Sequence, residues 1–129
     1  MQPSAPIIDI KRIDEMSMMF GYDVTAALLQ EFVTMLQTTR SQLDEQPGKT
    51  AESLKFLAIK LRGTACEYGA SRLVETARLI ERSVLVGSED LVDWRLRLKA
   101  EIDATVKIYE DQIIRFQPDH GLSFDASVA

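Results

Sequence analysis

Few side chains in this 129-residue chain are equipped for covalent or acid–base chemistry. There is one histidine, His120, and one cysteine, Cys66. A Ser/His/Asp or Cys/His nucleophile would have to recruit His120, which follows the helix-ending Pro118 and reads as a solvated tail residue. Cys66 lies within a helical pattern, where a lone cysteine is an inert side chain more often than a reagent. A single cysteine and a single histidine provide no Cys/His metal set, and the acids show no EF-hand spacing. Neither a glycine-rich phosphate loop nor a dinucleotide fingerprint is present. Glu89 and Asp90 are paired acids, but their place is the first turn of a helix, where negative charge is favourable. Met16, Met18, Met19 and Met35 fall at helical intervals as core filler. The inventory therefore predicts no catalytic residue, no metal, no cofactor and no enzymatic activity.

The elements that would position any site are helices. Residues 1–8, with two prolines and small polar residues, read as a flexible N-terminal arm. Asp9 can cap a short helix to about Phe20, with Ile10, Ile13, Met16 and Phe20 inward, and Gly21 ends it. A long helix from about Asp23 carries the stripe Val24, Leu28, Phe32, Met35, Leu36, Thr39 and Leu43, and Gln46-Pro47-Gly48 stops it. A third helix from about Thr50 buries Leu54, Leu57, Ala58, Leu61, Ala65 and Tyr68, with Gly69 as its C-terminal stop. Only Gly69 and Ala70 separate it from a fourth helix over 71–86, so these two are antiparallel neighbours. The fourth turns Leu73, Ala77, Ile80 and Val84 inward. Ser88 opens the last helix, whose stripe runs Leu91, Trp94, Leu98, Ile102, Val106, Tyr109, Ile113 and Phe116 before Pro118 closes it. In the tail, 117–129, Leu122 and Phe124 are the candidate anchors. Strand-type alternation is short throughout. The expected fold is all-α, an antiparallel four-helix bundle over 9–116 with a short additional N-terminal helix across one end.

One face of the third helix departs from an ordinary solvated surface. Opposite its core stripe lie Lys55, Ile59, Lys60, Arg62 and Cys66, with Gly63 among them. Ile59 is a large apolar residue at an outward position. Gly63 is a helix-interior glycine, which costs about 1 kcal/mol relative to alanine. Both suggest a surface that meets something. Residues 49–82 carry seven basic side chains against four acids, in a chain whose net charge is −5. A locally positive region on an acidic protein suits a partner with a negative pocket, whereas nucleic acid calls for a basic domain.

The run Ala58-Ile59-Lys60-Leu61-Arg62-Gly63-Thr64-Ala65, then Tyr68-Gly69-Ala70, Leu73 and Ile80-Glu81, resembles the signature of histidine-containing phosphotransfer (HPt) domains. That pattern is approximately Ala-His-x-Leu-Lys-Gly-Ser-Ala, four more positions ending in Gly-Ala, then Leu and a later Leu-Glu. Ala58, Leu61, Gly63, Ala65, Gly69, Ala70, Leu73 and Glu81 match it directly, while Arg62 replaces lysine and Thr64 replaces serine. Phe20-Gly21-Tyr22-Asp23 resembles the family's usual lead-in to its second helix. The likeness covers 9–116 in layout and is specific over 58–81. It implies a four-helix bundle with an extra N-terminal helix, and a phosphohistidine that enters the acidic pocket of a response-regulator receiver domain. Here Ile59 stands at the histidine position, and an aliphatic side chain has no lone pair with which to accept a phosphoryl group.

The resemblance thus implies an HPt-like protein of a two-component phosphorelay that binds a receiver domain or sensor kinase without carrying phosphate. Its partner-binding residues would be Lys55, Ile59, Lys60, Arg62, Gly63 and Cys66. The alternatives are an active phosphotransfer protein with a different acceptor, and a helical adaptor for an unrelated partner. A monomer is expected. No run reaches the roughly 18 apolar residues of a membrane span. The start, Met-Gln-Pro-Ser-Ala-Pro, lacks signal-peptide character, and together with the single cysteine this points to the cytoplasm.

Overall fold

A computed structural model of the chain describes residues 5–45, 50–85, 87 and 91–117. These form four helices: α1 (Ile10–Leu43), α2 (Ala51–Glu67), α3 (Ser71–Leu85) and α4 (Leu91–Phe116). The protein is an all-α four-helix bundle in which α1 packs mainly against α4, and α2 against α3.

The expected short helix and long helix occur as the two limbs of α1. Gly21 lies between them at φ 84°, ψ 168°, a backbone conformation that only glycine adopts readily, so the helical ladder is broken there. Asp9 caps the first limb, its side chain accepting from the Lys11 amide at 3.2 Å. This limb lies against one end of the bundle. The Asp9 amide donates to the Gly69 carbonyl at 2.7 Å, the Arg12 Nε to the Glu67 carbonyl at 2.7 Å, and Arg115 on α4 to Asp14 at 2.9 Å.

The end of α2 shows how the sequence sets this junction. Tyr68 is the C-cap and Gly69 follows at φ +75°. The Ala70 amide reaches back to the Ala65 carbonyl at 2.9 Å and the Gly69 amide to Cys66 at 3.3 Å, the paired bonds of a Schellman motif. A Cβ on Gly69 would stand 2.9 Å from the Arg12 Cβ and 3.1 Å from the Asp9 carbonyl oxygen. Glycine is required there for both its φ and its size. Above the turn, the Phe32 ring stacks on Tyr68 at 4.5 Å and meets Tyr109 edge-on at 5.0 Å, while the Tyr109 hydroxyl donates to the Tyr68 carbonyl at 2.6 Å. Burial pushes the phenol pKa of Tyr109 upward, so that hydroxyl stays a donor.

The inward stripes of α2 and α3 are as predicted, apart from Tyr68 and Val84, which are partly buried. On α4, Leu98, Ile102, Tyr109, Ile113 and Phe116 are buried, and Leu91, Trp94 and Val106 pack at the margin. In α1 Ile13, Met16, Phe32, Leu36, Thr39 and Leu43 are buried as expected, but the rest of the core face is shifted. Ile10, Phe20 and Val24 are exposed rather than inward. Thr25, Leu29, Phe32, Val33, Leu36, Thr39 and Leu43 form the buried set after the kink, with Leu28 and Met35 at its edge. The kink resets the helical phase, and the second limb turns the face between Leu29 and Val33 toward the bundle. On the first limb, before the kink, only Ile13 and Met16 are buried, and Met18 and Met19, expected as core filler, fall on its open side and are among the most exposed apolar side chains. Among the described residues no helix is long and apolar enough to cross a membrane. Pro47, Ser88, Glu89, Asp90, Pro118, His120, Leu122 and Phe124 lie outside the described residues.

Candidate functional site

Helix α2 begins at a Thr50 cap, whose side chain accepts from the Ser53 amide at 3.0 Å, and buries Leu54, Leu57, Ala58, Leu61 and Ala65. At about 100° per residue, that stripe places Ile59, Gly63 and Cys66 nearly in line on the opposite side. All three are exposed. Ile59 keeps 42% of its surface in solvent. Among the described residues a Cβ on Gly63 would meet nothing within 4 Å, so no packing contact there calls for a glycine at that position. The structure therefore brings Ile59, Gly63 and Cys66 together on one open ridge, flanked by half-buried Lys55 on one side and exposed Lys60 on the other. Neither lysine has an ion pair or side-chain hydrogen bond among the described residues.

Arg62 stands on the flank facing α3, and its guanidinium is committed. Nε lies 2.6 Å from Glu81 Oε2 and Nη2 lies 3.1 Å from Oε1, a two-point clamp across the α2–α3 pair. The hydrogen bond to Glu81 pushes the Arg62 pKa further above its ordinary value, with the charge of Glu81 acting in the same direction. Arg62 thus ties two helices together, and the free positive charge of the ridge resides on Lys55 and Lys60.

Sequence reading missed Phe56, which is 66% exposed and stands one turn before Ile59 and Lys60. It widens the ridge into an apolar strip of Phe56 and Ile59 bordered by two lysines. Its signal was available, since a step of three residues from Ile59 keeps Phe56 on the outer half of the helix. The clamp partner Glu81 had no such signal, because its place opposite Arg62 depends on the register between two helices. The ridge holds no nucleophile besides the Cys66 thiol, and the described residues contain no group of three or more His, Cys, Asp or Glu side chains placed to hold a metal ion. What the arrangement offers chemically is contact: apolar surface to desolvate, a gap in the side-chain layer at Gly63, and two cations at the rim. Comparison of the chain with protein-family models, with curated proteins and with solved structures finds no match.

Proposed function

We propose that this bundle is a signalling protein of the HPt type that docks a response-regulator receiver domain or a sensor histidine kinase through the α2 ridge, without itself carrying phosphate. The observation that carries this reading is Gly63. It gives up about 1 kcal/mol of helix propensity in mid-helix, yet none of the described residues occupies the space it leaves. A glycine that the fold does not use is accounted for by a partner that approaches the α2 backbone there. Ile59 and Phe56 supply apolar anchors beside the gap, the kind of residue that dominates the centre of an interface. Lys55 and Lys60 speed encounter with an acidic pocket such as that of a receiver domain. With Ile59 where phosphotransfer proteins carry histidine, docking has no chemical step to follow it, and the protein acts as a competitor, adaptor or brake on a phosphorelay.

The clamp of Glu81 on Arg62 favours a second reading, in which the same ridge serves a helical adaptor for a partner outside the phosphorelay. It withdraws the one arginine of the signature from contact with phosphate. Calorimetric titration against receiver domains and sensor kinases encoded beside the gene separates the two. The first reading predicts saturable binding that Ile59→Asp weakens by tenfold or more, equivalent to about 1.4 kcal/mol. No binding to any receiver or kinase overturns it. Stable, stoichiometric label on this chain after incubation with phosphorylated receivers would instead show an active acceptor.

A further inference from the structure

A cleft of about 710 Å³ opens beside the ridge, where the segment 5–9 crosses the α2–α3 turn and the outer side of α3. Val74 and Leu79 give it apolar surface, Cys66 is part of its lining, and Arg78 and Arg82 line its α3 wall. Those two arginines differ from every other arginine in the chain. Arg12 donates to the Glu67 carbonyl, Arg72 to the Ala5 carbonyl and Arg95 to the Leu43 carbonyl. Arg40 pairs with Asp103, Arg62 with Glu81, Arg97 with Glu101 and Arg115 with Asp14. Arg78 and Arg82 have no hydrogen bond or ion pair among the described residues. They stand one helical turn apart, so their side chains serve the same patch.

The acids that line the cleft are already engaged. Asp9 accepts from the Lys11 amide as the cap of α1, and Glu75 Oε1 accepts from the Ala5 amide at 2.8 Å. Arg12, also at the cleft, is turned to the Glu67 carbonyl. These backbone partners leave the carboxylates charged, so the lining carries three guanidiniums against two carboxylates, and Arg78 and Arg82 are the two guanidiniums of the cleft with no partner among the described residues. Each is a planar fork of donors that matches the two-oxygen edge of a phosphate or carboxylate. The volume falls within the roughly 300–1,000 Å³ typical of small-molecule sites.

We propose that this cleft binds a small organic anion, with an apolar body on Val74 and Leu79 and a phosphate or carboxylate head held by Arg78 and Arg82. The site is separate from the docking reading and stands whether or not a protein binds at Ile59. Cys66, the only cysteine, provides the readout. The experiment is the rate of Cys66 alkylation by iodoacetamide, a neutral reagent, at constant ionic strength. Phenyl phosphate and benzoate are the probes; inorganic phosphate supplies the head alone and benzyl alcohol the body alone. At about three times its Kd a bound probe slows alkylation about fourfold by mass action. Arg78→Gln combined with Arg82→Gln is expected to abolish that protection while leaving the helical content unchanged. Protection by phenyl phosphate only assigns a phosphate head, and protection by benzoate only assigns a carboxylate head. Amide shifts of Ala70 and Val74 on adding either probe to the parent chain give a second test that needs no variant. The proposal is overturned if neither probe protects Cys66 and these amides stay in place, if protection survives the double substitution, or if inorganic phosphate protects equally.

Discussion

Gly63 and Gly69 stand six residues apart on the same stretch of chain, and the fold uses only one of them. At Gly69 the backbone needs φ +75°, the Schellman bonds close on Ala65 and Cys66, and the first limb of α1 sits against the position where a Cβ would be. At Gly63 the helix is regular and the surroundings are open. The contrast separates what α2 does for the bundle from what it offers outside it. The turn at Tyr68–Ala70 is architecture, bound to α1 and α4 through Asp9, Arg12, Phe32 and Tyr109. The ridge at Phe56, Ile59 and Gly63 is surface that the bundle does not need in that form.

Substitutions can break this contrast, and the largest effect is expected at the turn. Gly69→Ala forces a side chain into the left-handed region and against Arg12 and Asp9, for a loss of about 2–4 kcal/mol in a urea melt. A loss below about 1 kcal/mol would mean that the first limb of α1 is not held where it lies. Tyr109→Phe removes the hydroxyl from the buried bond to the Tyr68 carbonyl and is expected to cost about 1–2 kcal/mol, with the bundle otherwise intact. On the ridge the sign reverses: Gly63→Ala adds helix propensity without a clash and should stabilise by about 0.5–1 kcal/mol. Destabilisation there would place Gly63 in the packing after all. The smallest effect on the melting temperature is expected from Glu81→Gln, since the clamp lies partly in solvent. Its value is functional, because it frees Arg62 and is predicted to raise affinity for an acidic partner. A fall in affinity would make the clamp itself part of the docking surface.

Much of this was legible in the sequence because it depends on local pattern. The Asp9 and Thr50 caps, the stop at Gly69, the inward residues of α2 and the outward set Ile59, Gly63 and Cys66 all follow from spacing along a single helix. The face of the second limb of α1 was legible in part: Phe32, Leu36, Thr39 and Leu43 are buried as expected, whereas Val24 is exposed and Thr25, Leu29 and Val33 are buried beside them. Val24 and Leu28 fit the expected period as well as Thr25 and Leu29 do. The choice between them is made by the packing of α1 on α4, which a single-helix pattern does not carry. The Arg62–Glu81 clamp was hidden for a related reason. Arg62 has the same local pattern whether it points at solvent or at Glu81, and the register of α2 against α3 decides which. Phe56 was readable and was passed over.

The central claim is that Gly63 is kept open for a protein partner, and Gly63→Leu tests it most directly. Gly63 is exposed and a Cβ there would meet none of the described residues within 4 Å, so a urea melt of Gly63→Leu should show stability at or slightly above that of the parent chain. The same variant, titrated calorimetrically against any receiver domain or sensor kinase found to bind the parent chain, is expected to lose at least about tenfold in affinity. Unchanged affinity in a fully folded Gly63→Leu protein would contradict it.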